Sequence, residues 1–139
     1  MRRRHNLALE DLADAKGSAM IQSMMRSNNI PRFVQSLEDE KYIYHVMELC
    51  EGLCICDTLE QRGPFNETDA ANVMCQLLEA IGTVHAKGYA HCDVKCDNVI
   101  LDGNLKLKLV DFEYARPFKG GLRGVYGSPS YIAPEIITK

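Results

Sequence analysis

Four residues close together in this sequence could do chemistry as a group: Asp93, Lys95, Asn98 and Asp111. Between the last two, Val99-Ile100-Leu101 is a short apolar run and Asp102-Gly103-Asn104 is a turn signal. Leu105-Lys106-Leu107-Lys108-Leu109 then alternates with period two, so a β-hairpin is predicted. An antiparallel hairpin returns the chain, which sets Asn98 and Asp111 at one open end with Asp93 and Lys95 just upstream. Two carboxylates, an amide oxygen and an ammonium then converge. Hard oxygen ligands of this kind suit Mg²⁺, which prefers one or two carboxylates and completes its shell with water and phosphate oxygens. A lysine beside them suits a phosphate, and a carboxylate not consumed by metal can orient a hydroxyl. The set asks for phosphoryl transfer. A charged loop that merely caps a hairpin would account for the same residues. A calcium loop starting at Asp102 would not, because Lys106 takes a ligand position and Leu107 sits where the sharp turn needs glycine.

The clearest element that could position this group is a helix over 67–87. Asn66 has N-cap chemistry, and Asp69 three residues later approximates a capping box. Ala70, Met74, Leu77, Leu78, Ile81 and Val84 form its predicted apolar stripe, and Gly88 is its stop. An earlier helix is predicted over 7–26 from Leu7, Leu9, Leu12, Ala15, Ala19, Met20, Met24 and Met25; Ser27-Asn28-Asn29 ends it and Pro31 forbids continuation. Residues 32–37 and 42–49 are strand-like, with Glu38-Asp39-Glu40 as the turn, so a first hairpin is expected. The sequence has no repeat and no low-complexity linker.

Composition narrows the partners. The 139 residues are the size of one domain, with 46% hydrophobic and 25% charged, which excludes a disordered tail or a coiled-coil rod. Sixteen Lys plus Arg against nineteen Asp plus Glu give a net charge of -3, no electrostatic case for nucleic acid. No stretch approaches the length of a membrane span. The basic start Met1-Arg2-Arg3-Arg4-His5 is followed at once by Glu10, Asp11 and Asp14, which suits neither a signal peptide nor an acid-poor transit peptide. The six cysteines contain no C-x-x-C pair, so zinc spacing is absent and reduced thiols in a cytoplasmic or nuclear setting are expected.

His91-Cys92-Asp93-Val94-Lys95-Cys96-Asp97-Asn98 resembles the H-R-D-L-K-x-x-N catalytic loop of protein kinases. Asp111-Phe112-Glu113 resembles their D-F-G, and Ala133-Pro134-Glu135 is their A-P-E unchanged. Gly127-Ser128-Pro129-Ser130-Tyr131 is similar to the substrate-docking segment of the serine/threonine class. Val46-Met47-Glu48-Leu49-Cys50-Glu51-Gly52 resembles the hinge of calcium/calmodulin-dependent and plant calcium-dependent kinases or their relatives. The likeness covers roughly 30–139. It implies an α+β, protein-kinase-like fold, truncated at both ends: 1–49 as a remnant of the small lobe and hinge, 50–139 as the start of the large lobe. It further implies Asp93 as catalytic base, Lys95 on the transferring phosphate, Asn98 and Asp111 on Mg²⁺, and ATP as the cofactor. Met47 would be gatekeeper, backbone groups of Glu48 and Cys50 would bond the adenine, Ile100 would be its floor and Glu51 would sit near the ribose. The partner would be a protein substrate.

The departures are as definite. The sequence holds no G-x-G-x-x-G loop and no V-A-I-K strand, and Gly17-Ser18-Ala19 stands where the lysine's partner glutamate should fall. Cys92 replaces the arginine that pairs with a phosphorylated activation loop, and Glu113 replaces the D-F-G glycine. Cys54 stands where many basophilic relatives carry a glutamate. Two functions fit: a serine/threonine kinase, or a pseudokinase-like binding module that transfers no phosphate. In either case the 139-residue chain by itself is expected to be inactive or nearly so, and partly exposed along the 67–87 helix.

Overall fold

A computed structural model describes residues 2–3, 9–40, 42–122 and 124–138. Helix α1 spans Leu9–Ser23, so Leu7 of its predicted start lies outside the described residues. Among the α1 side chains described, Ala19 and Ile21 are buried, as is Met25 just beyond the helix, while Met20 is exposed. Of the expected stripe, Ala19 and Met25 are buried and Met24 packs beside the core, while Ile21 joins them and Met20 turns outward. Adjacent apolar residues on a helix differ by about 100°, and periodicity alone does not choose between them.

Strands β1 (Arg2–Arg3), β2 (Phe33–Glu38) and β3 (Tyr42–Met47) form an antiparallel sheet in the order β1-β3-β2. Asp39 makes the β2–β3 turn: its carboxylate accepts the Tyr42 N–H at 2.7 Å and the Tyr44 hydroxyl at 2.7 Å. A two-residue β4 (Leu53–Cys54) leads directly into α2 (Ile55–Arg62), a helix that local sequence pattern does not reveal. Its cap is the Cys54 sulfur, which accepts the Asp57 N–H at 3.4 Å, and cysteine is not among the usual capping residues.

Helix α3 runs Glu67–Ala86 and has its expected ends. Asn66 Oδ1 accepts the Asp69 N–H at 2.8 Å, and the Lys87 and Gly88 N–H groups close on the Val84 and His85 carbonyls. Its buried face keeps Leu77, Ile81 and Val84 of the predicted stripe but turns away from the rest. Val73, Ala80 and Val84 are buried, Leu77 and Ile81 pack beside them, and Met74 and Leu78 stand 53% and 58% exposed, with Ala70 outside as well. The apolar positions come in neighbouring pairs (Val73–Met74, Leu77–Leu78, Ala80–Ile81), so either of two faces fits the period.

The second hairpin joins β6 (Val99–Leu101) to β7 (Leu107–Leu109), in register Val99↔Leu109, Ile100↔Lys108 and Leu101↔Leu107. Leu105 and Lys106 belong to the loop rather than the strand, with Leu105 at φ 59. Asp102 organises that loop by accepting the Asn104 and Lys106 N–H groups at 2.8 and 2.9 Å. Strand β4 adds to β6, giving the order β4-β6-β7, and β5 (Tyr89–Ala90) pairs with β8 (Arg116–Pro117). Val99, Leu101, Leu107 and Leu109 bury one face of the hairpin against Val73, Ala80 and Val84 of α3, with Ile21, Met25 and Ile30 in the same cluster. A short 3-10 helix, Pro129–Tyr131, precedes α4 (Pro134–Ile137). No described helix is long and apolar enough to cross a membrane.

One α3 side chain fixes the hairpin to the helix. Gln76 Nε2 donates to the Leu105 carbonyl at 2.8 Å, and its Oε1 accepts the Leu107 N–H at 3.0 Å and the Asn29 amide at 3.2 Å. Asn29 also donates to the Leu107 carbonyl at 3.2 Å, and its own carbonyl accepts the Leu109 N–H at 2.8 Å. Buried backbone groups of β7 are thus satisfied from outside the sheet.

Candidate active site

The open end of the β6–β7 hairpin is closed by the Val110 N–H, which donates to the Asn98 carbonyl at 2.9 Å. Residues before β6 and after β7 therefore meet as expected. His91 ties the upstream loop to the same place. Its Nε2–H donates to the Val110 carbonyl at 3.0 Å, its Nδ1 accepts the Asp93 N–H at 3.3 Å, and its ring meets Phe112 edge-on at 4.8 Å. Two non-glycine residues flank the site in the left-handed region, Cys92 at φ 63 and Asp111 at φ 60. Such residues cost about 1–3 kcal/mol each and persist where surrounding contacts impose them. Asp111 offsets part of this locally, its Oδ1 accepting the Glu113 N–H at 3.2 Å.

Asp93 is the buried centre, 3% exposed. Its Oδ1 accepts the Ser128 N–H at 2.8 Å; its Oδ2 accepts the Asn98 amide at 2.9 Å and faces the Lys95 ammonium at 3.1 Å. Lys95 Nζ also reaches the Ser128 hydroxyl at 2.5 Å. Burial pushes the Asp93 pKa up, but hydrogen bonds from Ser128 and Lys95 outweigh it and hold the carboxyl below the usual carboxylate value. Asp93 in turn raises the Lys95 pKa, so both groups are charged at neutral pH. The Asn98 amide nitrogen bonds the Asp93 carboxylate and its carbonyl (2.9 Å each), which leaves the amide oxygen as the end open to a cation. The Asp111 carboxylate is exposed. No cluster of three His, Cys, Asp or Glu side chains suited to a metal exists among the described residues. A cation here would rest on Asn98 and Asp111 with ligands from outside the chain.

Ser128 is the residue that sequence pattern did not connect to Asp93, since thirty-five positions separate them. What allows the approach is Gly127, at φ +95: a Cβ there would lie 2.3 Å from the Cys92 carbonyl oxygen.

The expected nucleotide-binding residues divide. Glu48, Cys50 and Glu51 line a cleft of about 600 Å³ together with Gln76, Asp102 and Lys108. Met47 and Ile100 are outside its lining. Met47, at the end of β3, has its sulfur 3.8 Å from the Gln22 amide of α1. Ile100 lies on the face of β6 opposite the buried Val99 and Leu101, level with Cys54 and Lys108. Glu48 is fixed on three sides: its N–H donates to the Arg32 carbonyl at 2.8 Å, its Oε2 accepts the Arg32 N–H at 2.9 Å, and its Oε1 meets Lys108 Nζ at 2.6 Å. Lys108 first, then the Arg32 N–H, hold the Glu48 carboxyl below its ordinary value.

Histidine 91 gives the site a pH dependence. Burial lowers its pKa below 6.5 in the fold, so the folded state holds it neutral while the unfolded chain takes up a proton below that value. Its stabilising contribution is full above about 6.5 and is lost as pH falls from there toward the lowered folded value. The melting temperature is expected to drop between pH 7 and 5.5, and the drop should shrink in His91→Asn even if that variant is less stable throughout. An unchanged slope in the variant would show that another group titrates.

A small antiparallel sheet and helix precede a loop with a buried aspartate, and a hairpin and a second acidic loop follow, which is an α+β arrangement with its acidic side chains gathered at one end of the hairpin. The chain belongs to the protein kinase family: the protein kinase domain model matches residues 10–139. CDPK-related kinase 5 of Arabidopsis thaliana is 34% identical over 138 residues, covering 94% of this chain and 22% of the relative. Calcium-dependent protein kinase 5 of Oryza sativa subsp. japonica is 34% identical over 143 residues, covering 99% of this chain and 26% of the relative. Calcium/calmodulin-dependent protein kinase type 1 of Caenorhabditis elegans is 32% identical over 117 residues, covering 81% and 34%. The chain thus spans about a quarter to a third of the length of these relatives.

Proposed function

We propose that this protein is built to transfer the γ-phosphoryl group of ATP to serine or threonine hydroxyls of a protein substrate. The observation that carries the reading is the hydrogen-bonded group Asp93, Lys95, Asn98 and Ser128 at the open end of the hairpin. Asp93 stays ionised, so it orients an incoming hydroxyl by accepting its hydrogen bond and takes the proton late, as the phosphorus–oxygen bond forms. Lys95 then stands within reach of the transferring phosphoryl oxygens, where charge accumulates. The Asn98 amide oxygen and Asp111 carboxylate would hold Mg²⁺, which supplies charge neutralisation on the phosphates. Met47, Glu48, Cys50, Glu51 and Ile100 are the proposed adenine and ribose contacts, and the setting is cytoplasmic or nuclear.

Without a glycine loop or its lysine partner in the sequence, the 139-residue chain by itself holds nucleotide weakly and transfers slowly. Calorimetric titration of Mg²⁺–ATP into this chain should give a Kd weaker than about 100 μM. Low-micromolar binding would mean that the catalytic-loop half suffices for affinity. Phosphate transfer from ATP to a serine peptide tests the reaction itself. Its absence would favour the second reading, a binding module, for which the specific observation is that Asp111 bonds its own loop at Glu113 and Cys92 stands at the arginine position.

Phosphomimetics at Ser128 or Ser130 should not raise activity. Cys92 supplies no cation, Arg116 already donates to the Glu113 and Ala115 carbonyls and lies 4.9 Å over the Tyr126 ring, and Arg123 lies outside the described residues. A carboxylate at 128 would press on Asp93 and draw away Lys95, which already bonds the Ser128 hydroxyl, so its nearest cation is taken from the catalytic pair rather than supplied to the activation loop. A rise of about tenfold in the peptide assay would overturn this.

A further inference from the structure

Strand β2 is an edge strand: in the order β1-β3-β2 its outer side pairs with no strand among the described residues. Every residue from Val34 to Glu40 is exposed, so Ser36 is presented on extended, accessible chain. Glu38, Asp39 and Glu40 fall two, three and four positions after it, and no other serine or threonine is followed by more than one acid within four positions. The groups that meet the hydroxyl in space are of the opposite kind. Ser36 and His45 are cross-strand partners. The Ser36 O–H donates to the Tyr44 carbonyl at 3.4 Å, which leaves its oxygen to accept from the His45 Nδ1–H at 3.0 Å. Ser36 also lines a groove of about 310 Å³ between α1 and β2, with Lys16, Ser23, Phe33 and Glu38 in its walls. Lys16 crosses that groove to Glu38, Nζ to Oε2 3.1 Å. An imidazole N–H and an ammonium thus stand on two sides of a serine that three carboxylates follow in sequence.

We propose that Ser36 is a phosphorylation site for a separate, acid-directed serine kinase, and that His45 and Lys16 receive the phosphate and tie α1 to the edge of the sheet. An enzyme whose substrate cleft is basic selects this segment by charge complementarity, and one built for basic substrates is repelled by it. In the transfer, Ser36 Oγ bonds the γ-phosphorus of ATP and the bond from that phosphorus to the β–γ bridging oxygen breaks. ADP leaves, and the hydroxyl proton passes to the enzyme's base. The product carries a charge of about -1.5 to -2 and three strong acceptor oxygens. With its proton gone, Ser36 releases the Tyr44 carbonyl, and the His45 Nδ1–H donates to a phosphate oxygen. Lys16, already held across the groove, turns from Glu38 toward the larger charge and offsets the repulsion between the two anions. Helix α1 is then joined through Lys16 to β2, and β2 through the phosphate to His45 of β3.

The test uses the 139-residue chain, incubated with Mg²⁺–ATP and a purified serine kinase that requires acids after its acceptor, then digested with trypsin and read by mass spectrometry. Cleavage after Arg32 and Lys41 gives the segment 33–41, in which Ser36 carries the only hydroxyl. The expected product is one phosphoryl group on that segment. It should be absent from Ser36→Ala and form about tenfold more slowly when Glu38→Gln and Glu40→Gln are combined. The phosphorylated chain should melt about 3 °C or more above the unmodified one, and the gain should vanish in Lys16→Met. A segment 33–41 left unmodified in the folded chain would overturn the site. If a free peptide of the same sequence is modified, the fold withholds Ser36; if the peptide is left bare too, the acids do not direct the enzyme. A melting temperature that falls on phosphorylation, or that rises equally in Lys16→Met, would overturn the tie between α1 and the sheet.

Discussion

Asparagine at position 93 is expected to lower kcat/KM for peptide phosphorylation by roughly 10²–10⁴-fold, the range for losing a positioned proton acceptor. The exchange keeps the size of the side chain and removes its charge. The Ser128 N–H and Lys95 would then face a neutral amide, one end of which is a donor turned on other donors. Because the proposed adenine contacts are elsewhere, the KM for ATP should move little, and the loss should sit in kcat. Steady-state kinetics with varied ATP and peptide separates the two, and a thermal melt shows whether the fold is intact. A loss below about tenfold with an intact fold would reduce Asp93 to a structural group.

Alanine at Gly52 should be the most damaging small change to the fold. Gly52 sits at φ +117, and a Cβ there would lie 2.0 Å from the Leu101 carbonyl oxygen and 2.9 Å from the Asp102 Cα. Both are backbone atoms, so no side chain can turn aside; β4 must separate from β6. Left-handed strain of about 1–2 kcal/mol and overpacking of about 1–3 kcal/mol combine to a large share of the roughly 5–15 kcal/mol that holds a domain. The melting temperature should fall by about 10 °C or more. Gly82→Ala gives the opposite sign. Its Cβ would meet nothing within 4 Å on α3, and replacing a mid-helix glycine should stabilise by about 0.5–1 kcal/mol. Differential scanning calorimetry on the pair reads both; a Gly52→Ala chain that melts with the wild type would mean that β4 does not depend on this approach.

The gathering of Asp93, Lys95 and Asn98 was legible in the sequence because it is local. Asp93, Lys95, Asn98 and the turn at Asp102 lie close enough that a hairpin brings them together, and the caps of α3 are four-residue patterns. What was not legible depends on distant partners. Ser128 reaches Asp93 beside a glycine that its φ of +95 and the Cys92 carbonyl both require. Helix α2 is eight residues long, and its cap is a sulfur. The buried face of α3 turned on choosing Val73 over Met74 and Ala80 over Ile81, a choice made by the hairpin that packs there. Of the expected adenine residues, Met47 and Glu48 are adjacent in sequence, yet Met47 meets Gln22 of α1 while Glu48 meets Arg32 and Lys108.

Gln76 has a consequence for how this chain can change in length. Three hydrogen bonds from a single glutamine fix the rotational phase of α3 against the hairpin loop. One residue inserted between Gln76 and Val84 would rotate one of them by about 100° relative to the other. Either the hairpin loop would lose its clamp or the buried face would swing outward. Length changes that leave this phase undisturbed lie outside Val73–Val84, for instance in the stretch between Arg62 and Glu67.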